Sequence, residues 1–189
     1  KDLWIDESVG KLNFESRGTY LGKFDSSDTL LCIKNDASYA VLTIDLNQRF
    51  KLNDILILEK FNKKSIVSCM YYDSNAKSNY IKRFNIETST LMKFFKFISE
   101  ERGSKLRLIS IVEKPIFTFS YRVKDGTKKT KSINVVDFIE IKGWKSIGNK
   151  ISINSRMSNF ASSSDDTQNL TGHNDDSDDT TSQSLTLFD

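Results

Sequence analysis

At 189 residues, 38% hydrophobic and 28% charged, the chain is long enough for one cored domain or one domain with a tail, and no run approaches the roughly 18–20 apolar residues of a membrane span. Its formal charge of +3 is uneven: residues 158–189 hold seven aspartates and no Lys or Arg, so residues 1–157 keep all 28 basic and 18 of the 25 acidic residues, a net +10. Two cysteines and a single histidine, His173, leave too few ligands for a zinc site of the usual N/S type.

In chain order, apolar runs alternate with aspartate turns. Leu3-Trp4-Ile5-Asp6 returns through Lys11-Leu12-Asn13-Phe14. Leu30-Leu31-Cys32-Ile33-Lys34-Asn35-Asp36 leads to residues 39–44, and Val67-Ser68-Cys69-Met70-Tyr71-Tyr72-Asp73 leads to 80–86. Phe119-Ser120-Tyr121-Arg122-Val123-Lys124-Asp125 leads to 131–136. In the last three, Cys32, Cys69 or Tyr121 stands four positions before the turn aspartate. Aspartate, asparagine and glycine suit hairpin reversals, and Asp125-Gly126 is the clearest such signal. Residues 54–60, 105–112 and 135–141 predict further strands, and Pro115 is tolerated at the start of a strand over 116–121. Leu91, Phe94, Phe95 and Ile98 have helical spacing. Phe95 and Phe97 also alternate with Lys96 and Ile98, and strands flank the segment, so an extended form is expected.

Each hairpin has one good apolar face and needs a neighbour to bury it. The expected fold is therefore all-β, of blade or barrel architecture. The domain is expected to span 1–157. Residues 158–189, rich in Ser, Thr, Asp and Asn, bury too little apolar surface to offset their ordering entropy, and a disordered acidic tail is expected there. Leu185-Thr186-Leu187-Phe188-Asp189 is an apolar island at its end, read either as a chance remnant or as a docking peptide. Cys32 and Cys69 lie in apolar runs and are expected as buried free thiols in a reducing compartment. The absence of a visible signal peptide points to the cytoplasm. The start at Lys1 suggests a segment of something longer.

No nucleophile and base can be paired, because residues 1–157 contain no histidine. No phosphate-cradling Gly-x-x-x-x-Gly-Lys-Ser/Thr loop occurs, and Glu100-Glu101 and Asp165-Asp166 read as solvated surface. Catalytic residues and metal ligands are thus not expected in this segment. Basic clusters remain: Lys82 and Arg83; Lys105 and Arg107, alternating with Leu106 and Leu108; Lys128, Lys129 and Lys131; and Lys142, Lys145 and Lys150 in Lys142-Gly143-Trp144-Lys145-Ser146-Ile147-Gly148-Asn149-Lys150-Ile151. These ten are the candidate DNA-binding residues. If the repeats bring them to one rim, duplex DNA can follow a curved track of phosphate contacts, sequence-tolerant and steeply salt-dependent. Edge lysines also keep strands from pairing between molecules. An acidic protein is the alternative partner, and the aspartates of the tail can compete for the same rim. Trp144 is expected to pack under its loop, because a duplex offers no free base face.

Several of these residues carry a family resemblance. Tyr80-Ile81-Lys82-Arg83-Phe84-Asn85-Ile86-Glu87, Gly103-Ser104-Lys105-Leu106 and Asp137-Phe138-Ile139-Glu140-Ile141-Lys142-Gly143-Trp144-Lys145-Ser146-Ile147-Gly148-Asn149-Lys150 resemble, in order and spacing, the C-terminal region of the A subunits of bacterial type II topoisomerases. Within this gyrase A family the nearest pattern is that of the topoisomerase IV A subunits. The opening Leu3-Trp4-Ile5-Asp6 and closing Leu185-Thr186-Leu187-Phe188 are similar too. The resemblance implies a β-pinwheel, a propeller-like ring of four-stranded blades whose basic rim bends DNA, and a chain of this length leads to an expectation of about three or four blades in a ring that need not close. It implies a parent that breaks and rejoins duplex DNA, with Mg²⁺ and with ATP hydrolysed on the B subunits of a heterotetramer. The glycine-rich basic box of gyrase is missing, since Gln48-Arg49-Phe50-Lys51 has no glycine, and decatenation or relaxation is implied rather than chiral wrapping.

Overall fold

The computed structural model describes residues 1–165. It is almost entirely antiparallel β-structure, arranged as four repeats of one chain path. In the first, β1 (Asp2–Asp6) and β2 (Lys11–Asn13) form a hairpin and β3 (Thr19–Lys23) returns onto β1. In the second, β4 (Leu30–Lys34) and β5 (Ser38–Leu42) form the hairpin and β6 (Ile55–Lys60) returns onto β4. The third has β7 (Ile66–Asp73) and β8 (Ser78–Asn85), then a two-residue strand β9 (Phe95–Lys96), then β10 (Lys105–Ser110) on β7. The fourth has β11 (Pro115–Arg122) and β12 (Lys128–Asn134), a short helix α1 (Val135–Phe138), a two-residue strand β13 (Asn149–Lys150), and β14 (Met157–Ser164) on β11.

The four hairpins form where the aspartates predict them, and the side chains show why. Oδ1 of Asp6, Asp36, Asp73 and Asp125 each accepts the backbone N–H two residues on, from Ser8, Ser38, Asn75 and Thr127, at 2.8–3.0 Å. A carboxylate that bonds its own turn holds the reversal before any distant contact forms. The same bonds favour the charged form, and hydrogen bonds from Ser8 and Thr127 hold the carboxyls of Asp6 and Asp125 below the usual range.

The short strands do not belong to the repeat that precedes them in the chain. Strand β9, from the third repeat, pairs with β5 of the second, and β13, from the fourth, pairs with β8 of the third. Between β5 and β6, Arg49 makes a single bridge to Lys11 on β2. Each repeat after the first therefore lends a short segment to the outer edge of the sheet before it. The resulting strand orders are β2-β1-β3, β6-β4-β5-β9, β10-β7-β8-β13 and β12-β11-β14. The connection between β2 and β3 is only residues 14–18 and lends nothing.

Three apolar clusters lie between consecutive sheets. Leu3, Ile5 and Leu12 meet Leu30, Cys32 and Leu42 between the first and second. Leu31, Tyr39 and Val41 meet Val67, Cys69 and Phe84 between the second and third, and Met70 and Ile81 meet Phe117, Phe119 and Ile133 between the third and fourth. The middle sheets are therefore apolar on both faces, and every residue of β5 is buried. No cluster joins the first sheet to the fourth among the described residues. Four blade-like sheets in series agree with the expected all-β class and blade number. Cys32 and Cys69 are free and buried in different clusters, and burial pushes both thiols up to about 12.

Two expectations are corrected. Residues 135–141 are not a strand: Asn134 caps α1 by accepting from the Val136 N–H at 3.2 Å, and the chain then leaves the fourth sheet. The expected domain end at 157 falls too early, because β14 carries residues 158–164 along β11, its polar side chains on a largely exposed strand. Residues 166–189, including Leu185–Asp189, lie outside the described residues. The extended form expected around Leu91, Phe94, Phe95 and Ile98 is met, with Phe95–Lys96 as strand β9 and no helix despite the helical spacing. Met92 donates its N–H to Val41 O (2.9 Å), Phe97 and Ile98 are buried, and Leu91 and Phe94 are exposed. The strand alternation wins because the segment borrows the open edge of β5.

Candidate nucleic-acid interface

The lent segments share one local pattern. Each sets a basic residue beside the edge it joins and follows it with an apolar residue that plugs the core. The pairs are Arg49-Phe50, Lys96-Phe97 and Lys150-Ile151, with the basic residues opposite Lys11, Ser38 and Tyr80. The following N–H groups, of Phe50, Phe97 and Ile151, donate to the carbonyls of Gly10, Ala37 and Asn79 at 2.7–2.9 Å. All three apolar side chains are buried, whereas Arg49, Lys96 and Lys150 are exposed. The approach is close enough to constrain the backbone. A Cβ on Gly10 (φ +66°) would stand 2.3 Å from Phe50 O, and one on Gly148 (φ +90°) 2.3 Å from Ile81 O.

Because the sheets pack face to face in series, these equivalent edges fall side by side. Exposed Arg49 and Lys51 lie at the outer edge of the first sheet, Lys93 and Lys96 at the second, and Lys142, Lys145 and Lys150 at the third. On the fourth sheet the outer strand is β12 itself, with Lys128, Lys129 and Lys131 exposed. None of these ten takes part in an ion pair among the described residues, where the pairs are Arg17–Glu15 and Lys60–Asp28. Such an edge presents exposed cationic groups at strand spacing, a surface suited to phosphates and giving no base readout.

Of the ten residues expected from the sequence, the structure brings six to this edge: Lys128, Lys129, Lys131, Lys142, Lys145 and Lys150. Lys105 is exposed but lies on β10, at the opposite side of the third sheet from β13. Arg107 is half-buried at a β-bulge between Leu106 and Leu108, which breaks the expected alternation. Its guanidinium lies 5.0 Å from the Phe160 ring and 5.8 Å from that of Tyr72, and burial lowers its pKa.

Lys82 and Arg83 are corrected outright, since both are buried. Lys82 Nζ donates to Phe97 O and Trp144 O, each at 2.6 Å, and so ties two lent segments together. Burial lowers its pKa. Arg83 Nη1 reaches Ile139 O at 3.5 Å, and the Arg83 carbonyl accepts from the Lys142 N–H at 2.8 Å. The alternation around Ile81 and Phe84 hid this, because β8 is covered on both faces and along its edge. Trp144 packs as expected, 5.7 Å from the Phe95 ring and 5.9 Å from Tyr39. Gly148 has the positive φ that its turn needs; Gly143 does not.

Sequence reading missed Arg49, Lys51, Lys93 and Lys96. The signal available was the repeated basic-apolar pair placed after each hairpin, which becomes visible only once the lending of strands is known.

Comparison with known proteins bears on the same residues. The family model for the topoisomerase C-terminal domain of Bacteroidota matches residues 11–156, from β2 to the residue before β14. The chain belongs to this topoisomerase C-terminal domain family. A comparison with curated proteins returns no match. The match covers all three lent segments of this topoisomerase C-terminal domain, and with them each exposed basic edge residue named above.

Proposed function

We propose that this topoisomerase C-terminal domain is a non-catalytic module that binds duplex DNA along the outer edge of its four sheets. In this reading it captures and bends a DNA segment for strand passage by a type IIA enzyme, as part of a topoisomerase IV A subunit that decatenates or relaxes DNA. Its remaining partners are the ATPase B subunits and the rest of its own polypeptide, at the nucleoid in the cytoplasm. Mg²⁺ and ATP are assigned to parts of the parent outside these residues; no three of His, Cys, Asp and Glu gather into a metal-sized group among the described residues.

The observation that carries the reading is the recurrence of exposed basic residues at the same edge of every sheet, in a family named for topoisomerases. A single lysine-rich edge is ordinary protection against aggregation. Here basic residues recur at the equivalent edge of four successive sheets. Salt-dependent binding to linear duplex DNA is the test. With about six phosphate contacts the association constant should fall about 10³-fold between about 50 and 200 mM salt. Binding that is weak at low salt and indifferent to salt would leave the alternative, an acidic protein partner on the same basic edge.

A further inference from the structure

A row of like charges crosses the hairpin end of the fourth sheet. Arg122 closes β11 and stands opposite Lys128, the first residue of β12. On the other side of β11, Tyr121 pairs with Met157, so Arg156, one residue before β14, stands beside Arg122 as well. Like charges opposed across a ladder are destabilising. The three exposed cations line one cleft of about 290 Å³ with Tyr121 and Ser158. Asp125, between Arg122 and Lys128 in the chain, is committed to its own turn, where Oδ1 accepts the Thr127 N–H at 2.8 Å. The ion pairs among the described residues lie elsewhere. Arg122 is already oriented: Nη1 donates to Gly126 O at 2.8 Å and leaves Nε and Nη2 for a ligand. Behind the cleft, Arg107 of β10 has its pKa held down first by burial and then by the Arg156 charge, against the pull of Tyr72. Positive charge thus gathers where the third and fourth sheets meet.

We propose that this cleft seats one backbone phosphate of duplex DNA, at the point where the duplex leaves the outer edge and turns across the hairpin end of the fourth sheet. The proposal rests on the DNA-binding reading above and adds to it a contact of fixed geometry. Of the ten exposed basic residues named along the outer edge, nine are lysines, compact charges on flexible stems that accept a phosphate in many positions. The cleft offers two guanidinium forks instead, and a fork grips a phosphate through paired N–H···O bonds in a set orientation. Lys128 belongs to both surfaces, so the track passes from edge to cleft without a break. Lys128 and Arg156 flank β11 at about 10 Å, two strand spacings, a gap that three long side chains close around a single phosphate. A bound phosphate also offsets the repulsion within the row, which no group of the hairpin does.

The test is duplex titration of the full chain at fixed salt, comparing wild type with Arg122→Lys/Arg156→Lys, which keeps the charge and removes both forks. Affinity should fall at least about tenfold, while the slope of log affinity against log salt stays the same. Arg17→Lys/Arg102→Lys makes the same exchange at exposed positions off the cleft and should bind as wild type does. In wild type the Nε–H resonances of Arg122 and Arg156 should shift on addition of duplex. Full affinity in the Arg122/Arg156 variant overturns the cleft and leaves salt-dependent binding along the edge standing. Equal losses from the two pairs overturn it as well, since any exposed arginine would then serve. Resonances that move with inorganic phosphate but not with duplex would make this a free-phosphate site and end the duplex assignment. Wild type that binds no duplex at any salt removes the proposal together with the reading it rests on.

Discussion

A lysine ammonium buried without a carboxylate is held by dipoles alone, and Lys82 is such a case. Two carbonyls at 2.6 Å, from Phe97 and Trp144, replace the water that the charge gives up. Burial still lowers its pKa, so the folded protein holds this proton less tightly than the unfolded chain does. Between the lowered value and the ordinary 10.5 the unfolded state binds more protons, and this residue's contribution makes stability rise with pH across that window. Lys82→Met should remove that rise. It should also destabilise the fold by about 1–3 kcal/mol, the cost of leaving buried acceptors unpaired. Duplex affinity of the folded variant should match wild type, measured by DNA titration beside a denaturant melt. A loss of DNA affinity in fully folded protein would return Lys82 to the binding surface and contradict its placement here.

The lent strand explains what the sequence made legible at the level of elements and what it did not. Hairpins were legible because their cause is local: an aspartate bonds the N–H two residues on, and the apolar alternation beside it needs no distant partner. The lent segments were not legible, because two residues of pairing leave no periodic signal and their partner lies in the previous repeat. Phe97 was readable as core but not as a plug between two sheets. It belongs to the cluster of Cys69, not to that of Cys32. Phe97→Ala should cost about 3–5 kcal/mol by leaving a cavity there. Both thiols are raised to about 12 and buried, so native labelling is slow and reports opening. The substitution should accelerate labelling of Cys69 more than that of Cys32. Equal acceleration would mean that the sheets open together and that the plug is not a local fastening.

On the scale of the whole molecule, three shared cores and three lent segments join four sheets in series, and the order sets where charge accumulates. Composition already gave residues 1–157 a net +10, but which lysines share a surface depends on the packing of one sheet on the next. Lys105 and Lys150 both belong to the third sheet yet lie three strands apart. A DNA track along the outer edge therefore makes a prediction that total charge does not. Arg49→Gln, Lys96→Gln and Lys150→Gln remove one charge from each of three consecutive sheets. If each residue meets a phosphate, the slope of log affinity against log salt should shrink by about 0.9 per residue, close to 3 for the triple variant. Lys63→Gln, Lys64→Gln and Lys105→Gln remove the same charge from exposed positions off that edge and should leave the slope nearly unchanged. Equal losses from the two variants would show that DNA responds to the net field of the domain. In that case the regular edge would be a consequence of how the strands are lent, with no path for the duplex written into it.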